Sequence, residues 1–165
     1  YAHPAVLKNI PPFTKGGTQG GLDWERLDHE ASAITNKEKR VNRVLLLLND
    51  GQKPRLDLPD EPRTLTPDRI KLLQELDDIV HREIKEAGLY DDIWQFPVVL
   101  VPVGFKTHES IILRPVASTE AMTAHFYHMP HETLGRITTK ILATNRIDCV
   151  FYDITNKPPG TIEWE

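Results

Sequence analysis

The residues best equipped for chemistry lie at the C-terminus. Lys157-Pro158-Pro159-Gly160-Thr161-Ile162-Glu163-Trp164-Glu165 joins an ammonium, a hydroxyl and two carboxylates to two stiffening prolines and a tryptophan one residue from the end. Chain termini are usually polar and poorly ordered, and a tryptophan left in water exposes a large apolar surface. The composition therefore predicts a tail that folds back onto the protein. Lys157, held ahead of a rigid Pro-Pro, suits an anion such as a phosphate, while Thr161 and Glu163 can hydrogen-bond a ribose or a base edge. A terminus pinned by Trp164 for stability alone has the same composition, so residue types do not separate the two readings.

Two further positions carry a functional reading. Gln95 stands between Trp94 and Phe96 just ahead of a strand; its amide either offers a donor and an acceptor to a base or ribose or satisfies backbone groups in a core. Arg114, in Ile111-Ile112-Leu113-Arg114-Pro115, is a cation in an apolar strand. It is paired across the sheet, snorkelling, or facing a partner subunit.

The remaining clusters read as structural. His125, His128 and His131 form an H-x2-H-x2-H string, but Pro130 interrupts it and no cysteine or second histidine pair completes a metal site. Cys149 sits in an apolar strand and reads as a buried thiol rather than a nucleophile. Asp77 and Asp78 read as a solvated helix face, because carboxylates doing acid–base work need opposing partners. No GxxxxGK[ST], GxGxxG or GxSxG motif is present. The loop Gly16-Gly17-Thr18-Gln19-Gly20-Gly21 is the nearest approach to a phosphate cradle, and lacking a lysine or hydroxyl at the required offset it reads as a connector. No catalytic residue and no metal ligand is assigned.

Composition sets outer bounds. A chain of 165 residues, 39% hydrophobic, can bury a real core in one domain or two small ones. Twenty basic residues face 24 acidic ones for a formal net charge of −4, which gives no electrostatic footprint for nucleic acid. One cysteine excludes an internal disulfide framework. No apolar run approaches the roughly 20 residues of a membrane span, and no signal-peptide pattern opens the chain. A cytoplasmic setting without a membrane partner is the expectation, and a first residue of Tyr1 in place of Met predicts a fragment or processed product.

These candidates need elements to position them. Residues 1–10 read as a strand with Pro4 marking an edge, followed by a Pro- and Gly-rich loop over 11–21. Asp23 can cap a helix to about residue 36, with Leu22, Leu27, Ala31 and Ile34 at helical spacing. Val41 to Leu48 reads as a buried strand. Residues 49–65, with Pro54, Pro59 and Pro62 and no periodicity, read as a linker. Thr66 as N-cap and Pro67 at the first position open a long helix, whose apolar face runs from Ile70 to Ala87 before Gly88 ends it. Strands are predicted over 97–103 and 110–117, a helix over 130–143 and a last strand over 147–154. Strand, loop, helix and strand over residues 1–49 match the order over 110–154, with Val41-Asn42-Arg43-Val44 aligning on Ile147-Asp148-Cys149-Val150. The repeated pattern points to a duplicated unit.

Four ordered stretches carry a family resemblance. Asp153 to Glu165 resembles the C-terminus of the GMP synthase family, glutamine-hydrolysing ligases that aminate XMP to GMP. Thr66-Pro67-Asp68-Arg69 with Glu83 to Tyr90 resembles that family's long helix, and Ile93-Trp94-Gln95 its following turn. Ala121-Met122-Thr123-Ala124 and Leu134-Gly135-Arg136-Ile137 resemble the approach to its last helix. The likeness is strong over 66–165; residues 1–50 resemble the extra copy of this domain in longer, eukaryotic-type members.

The resemblance implies a dimerisation domain that supplies part of the XMP site. Lys157 would meet the 5′-phosphate, Glu163 and Gln95 the base or ribose, with Thr161 close by. It also implies that ATP, Mg²⁺ and all catalytic groups belong to glutaminase and ATP-pyrophosphatase domains ahead of Tyr1, with no cofactor in this segment. Partners would be XMP, those upstream domains and a second copy of the chain. The family's Asp-x-Arg ahead of the first strand is missing here, and the tip at 104–109 lacks the Gly-rich Asp-x-Arg loop of bacterial members.

The expected architecture is a two-layer α+β fold, with helices on one face of a mostly antiparallel sheet, in one and a half copies of an α-β-β-α-β unit. Residues 1–50 form the partial copy, 51–65 the linker and 66–165 the GMP synthase-like domain. A free-standing nucleotide-binding or regulatory module, and a KH-like RNA-binding module suggested by Gly17-Thr18-Gln19-Gly20, are the alternatives; the acidic charge and the placing of that loop weigh against the second.

Overall fold

The ends of the helices fall where the residue types dictate. The structure, a computed structural model, describes residues 3–7, 22–49, 57–60, 63–120 and 123–164. Helix α1 (Trp24–Lys37) starts where Asp23 accepts a hydrogen bond from the Arg26 amide at 3.0 Å, and α2 (Pro67–Glu86) where Thr66 Oγ1 accepts from the Arg69 amide at 3.3 Å. Such side-chain caps satisfy amides that have no partner inside the helix. Gly88 closes α2 at φ +69°, with the Leu89 amide donating to Ile84 O and the Gly88 amide to Lys85 O, the bonding of a Schellman motif. Helix α3 (His131–Leu142) follows Pro130 with no side-chain cap. The Gly16–Gly21 loop lies outside the described residues.

Seven strands are found among the described residues: β1 (His3–Leu7), β2 (Val41–Leu47), β3 (Val98–Val101), β4 (Ser110–Leu113), β5 (Val116–Glu120), β6 (Thr123–Phe126) and β7 (Cys149–Asp153). Five of them form one sheet in the order β1-β2-β7-β4-β3, and β5 and β6 form a separate hairpin. The pairs β1/β2 and β4/β7 are parallel, whereas β2/β7, β3/β4 and β5/β6 are antiparallel. This is the α+β arrangement expected. The single strand predicted over 110–117 is two strands, because Pro115 has no amide to continue the ladder: β4 stops at Leu113 and β5 starts at Val116 in a different sheet. Strand β6, half polar and four residues long, gave too short a pattern to be read from sequence.

Alternation along the strands separates two faces. Val44, Leu46, Ile111, Leu113, Val150 and Tyr152 join the core formed with the three helices. Leu45, Leu47, Ile112, Cys149 and Phe151 form a second buried strip on the other face, with Trp164 packed against it. Cys149 is a buried thiol outside any disulfide, as its apolar setting indicated. Asp77 and Asp78 lie on α2, paired one turn on with His81 and Arg82.

Helices α2 and α3 are tied by a buried carboxylate that sequence reasoning placed on no list. Glu83 accepts from Arg136 Nε at 2.9 Å and from Lys140 Nζ. The Lys140 hydrogen bond, helped by Arg136, holds its carboxyl below the usual range against the upward push of burial. A folded-state pKa below the unfolded value of about 4.3 contributes stability that is present above that pH and lost as pH falls through the folded value. Glu83→Gln is therefore expected to lower stability by about 1–2 kcal/mol at pH 7, a discounted figure because both cations reach solvent. Thermal melts across pH check this: the gap between variant and wild type should close in acid.

The two β-α-β passages meet at β2 and β7, and the sheet runs through both. Alignment of Val41–Val44 on Ile147–Val150 carries Val44 onto Val150 and Asn49 onto Thr155, and the hydrogen bonds obey it. The Val44 amide donates to Thr155 Oγ1 at 2.8 Å, and the Val150 amide to Asn49 Oδ1 at 2.9 Å. The Ile154 amide donates to Val44 O at 3.0 Å, and the Leu48 amide to Val150 O at 2.9 Å. A local two-fold axis thus passes between β2 and β7.

Candidate functional site

Three charged side chains stand at one end of the sheet face opposite the described helices. Arg43 shares its side of β2 with Leu45 and Leu47, Asp153 its side of β7 with Phe151, and Arg114 follows Ile112 two residues on, just past β4. Asp153 is 0% exposed, Arg114 0% and Arg43 2%. One carboxylate oxygen of Asp153 accepts from Arg43 Nη1 at 3.0 Å and pairs with Arg114 Nη1 at 2.9 Å. Burial pulls the Arg114 guanidinium below its ordinary value and Asp153 opposes that pull; an arginine stays charged regardless. Of the three roles open to Arg114 from sequence, pairing across the sheet is the one found.

The spare donors of this trio hold the tail. Arg114 donates through Nε to Ile162 O at 3.0 Å, through Nη1 to Thr155 O at 3.2 Å and through Nη2 to Thr161 O at 2.6 Å. Arg43 donates to Thr161 O at 3.1 Å, to Thr161 Oγ1 at 2.6 Å and to Glu163 O at 2.6 Å. The Trp164 indole donates to Asp153 at 2.9 Å, and the Arg43 guanidinium lies 4.8 Å from the indole centroid, a cation–π distance. Gly160 is buried where a β-carbon would come within 3.1 Å of the Thr155 methyl and 3.5 Å of both guanidinium groups. An alanine there would sit in ordinary contact with the arginines and would press the Thr155 methyl back by a few tenths of an ångström. Asn156 anchors the start of the tail, donating to Asp28 of α1 at 2.7 Å and accepting from the Phe126 amide at 3.3 Å.

All four residues expected at a site border the β5/β6 hairpin. Gln95 is exposed and its backbone bridges Val116 of β5; Lys157 is half-buried and its backbone bridges Ala124 of β6. Directly opposed residues share a face, so both belong to the face of Val116 and Ala124, against which Ile162 packs. Their backbones are about 15 Å apart across the intervening strands. Thr161 and Glu163 flank Ile162 and are exposed. The Thr161 hydroxyl already donates to Glu163 O at 2.6 Å, which leaves it acceptor capacity only.

Sequence reasoning missed Arg43 and Asp153 as site-building residues. A cation in one apolar run and an anion in another were visible, yet nothing local says that the two strands pair. The three histidines do not converge as a site: His125 is on β6, His128 stacks on Trp24 at 5.8 Å and His131 begins α3. No group of three metal-binding side chains occurs among the described residues, and no helix there is long and apolar enough to cross a membrane.

A family model described as the GMP synthase C terminal domain matches residues 82–164. The chain belongs to that family. The matched span of the GMP synthase domain contains Gln95, Lys157, Thr161 and Glu163, while Arg43 lies outside it. Among curated relatives, a probable glutamine-hydrolysing GMP synthase of Leptospira interrogans is 44% identical over 166 positions, covering 100% of the chain and 26% of the relative. The GMP synthase of Phenylobacterium zucineum is 47% identical over 113 residues, 63% of the chain and 22% of the relative. That of Bacteroides fragilis is 42% identical over 110 residues, 61% of the chain and 22% of the relative. The chain thus spans about a quarter of the length of these relatives.

Proposed function

We infer that this chain is the nucleotide-binding C-terminal region of a GMP synthase. In this reading Lys157 meets the 5′-phosphate of XMP as a point charge. Glu163 and Gln95 accept from and donate to base or ribose, and Thr161 accepts one further hydrogen bond. The observation that carries it is the tail's fixed backbone. Its carbonyls at 155, 161, 162 and 163 are taken by buried arginines, while the Glu163 side chain stays exposed, as does Gln95 beside the hairpin that Ile162 packs against. A stretch held by its main chain presents side chains to a ligand without losing their order on binding.

Amination of XMP, with its ATP, Mg²⁺ and glutamine, is assigned to catalytic domains in the same protein, in a cytoplasmic setting. A homodimer belongs to the reading too. The outer strands of the described sheet, β1 and β3, are its candidate contacts, and sedimentation equilibrium with strand-edge variants checks it.

Lys157→Ala tests the nucleotide reading. Loss of one charge-assisted phosphate contact is worth about 1.5–3 kcal/mol, or roughly 10–100-fold in affinity. Calorimetry should show XMP binding to the wild-type chain weakened by that factor, with the melting temperature little changed. Equal affinity in the variant would remove Lys157 from the site.

A further inference from the structure

We propose that Arg43 is a positioning residue for the nucleotide-binding tail, delivered by β2 from the first β-α-β passage to a site whose other residues all come from position 95 onward. The proposal rests on the reading of the tail given above. Arg43 makes four polar contacts at this end of the sheet: Asp153 at 3.0 Å, Thr161 O at 3.1 Å, and Thr161 Oγ1 and Glu163 O each at 2.6 Å. Two of the tail residues it grips, Thr161 and Glu163, are those whose side chains are offered to the ligand. Its guanidinium also lies over the Trp164 ring. A planar fork with five donors can hold a carboxylate, a hydroxyl and two carbonyls at once, which an ammonium cannot.

The local two-fold axis supplies an internal control. It carries Arg43 onto Cys149 and Asp153 onto Leu47. The backbone frame repeats at both ends, with the Val44–Thr155 and Val150–Asn49 bonds as mates. The side chains do not repeat. One end holds a buried ion trio; the other holds Leu47 and Cys149 in an apolar strip. Each passage holds one half of the clamp, the first the arginine and the second the aspartate. Among the described residues, only the end that seats the C-terminal tail has both. Among the described residues the first passage therefore contributes a residue to the site and builds no ion clamp of its own.

Indole resonances of the three tryptophans in the ¹⁵N-labelled chain, with an XMP titration, test this. Trp164 reports the tail, and Trp24, whose indole donates to Met129 O at 3.2 Å on the helix side, reports the fold. In Arg43→Ala the Trp164 resonance is expected to move to the position of a free indole while Trp24 stays, and XMP affinity to fall at least 10-fold. Arg43→Lys should leave Trp24 in place and restore only part of the Trp164 shift and of the affinity. A stationary Trp164 in Arg43→Ala, or unchanged affinity with Trp164 displaced, overturns the proposal. Should Arg43→Ala unfold the chain, shown by Trp24, Arg43→Lys decides: a wild-type Trp164 resonance and affinity there count against the fork. A wild-type chain that takes up no XMP would instead remove the nucleotide reading, with the indole still deciding whether Arg43 seats the tail.

Discussion

Asp153→Ala is expected to be the most damaging single substitution in the chain, costing about 3–5 kcal/mol, the usual range for removing one partner of a buried ion pair. The carboxylate is fully buried and is the counter-charge for two buried guanidinium groups, Arg43 and Arg114. Removing it leaves two like charges together in the interior without their buried counter-charge. It also takes away the acceptors of the Trp164 indole at 2.9 Å and of the Thr155 amide at 3.0 Å. Domains of this size hold about 5–15 kcal/mol in total, so the variant would be a marginal protein. Urea denaturation gives the number directly. Replacing the three ion partners together by apolar side chains should cost less than Asp153→Ala alone, because no orphaned charge remains. The tail would then be free, and that triple variant separates the clamp's cost to stability from its use to the site.

A second large effect is expected at the tip between β3 and β4. Asp148, just ahead of β7, accepts hydrogen bonds from four consecutive amides: Phe105 and Lys106 at 2.7 Å, Thr107 at 2.9 Å and His108 at 3.0 Å. The loop is a nest of amides closed around an internal anion, with His108 at φ +55°. Burial pushes the Asp148 carboxyl up, but the amides of Lys106, Thr107, Phe105 and His108 together bring it below its usual range. Asp148→Ala leaves four donors unsatisfied in a part-buried loop, for an expected loss of about 2–4 kcal/mol. Because the folded pKa is depressed, the Asp148 contribution is present at neutral pH and fades as pH falls below the unfolded value of about 3.9. Wild type and Asp148→Asn should therefore converge in acid. Gly104→Ala attacks the same feature from the other side, since a methyl there runs into the Asp148 carboxylate. Its cost should shrink in the Asp148→Ala background, and a double-mutant cycle measures that coupling.

The helices and the shape of the tail were legible because the signals are local. Asp23, Thr66-Pro67 and Gly88 mark helix ends through bonds spanning a few residues, and a tryptophan beside a terminus asks for a place to dock. Lys157, Thr161, Glu163 and Gln95 were picked out by residue type, and the fold gathers them around one hairpin. The clamp was illegible. Arg43 and Asp153 are separated by most of the chain, and which runs pair is decided by the sheet as a whole. The same limit hid β6, whose short polar pattern means nothing until β5 lies beside it. Arg114 fell between the two cases: its burial was suggested by its neighbours, while its partner was not.

The central claim is that the clamped tail and the turn at Gln95 form one nucleotide-binding face, and an XMP titration followed by amide chemical shifts of the whole ¹⁵N-labelled chain tests it most directly. The account predicts saturable shifts at Gln95, Lys157, Thr161 and Glu163, with α2 and α3 undisturbed. No saturable shift, or shifts confined to the helix side of the sheet, would contradict it.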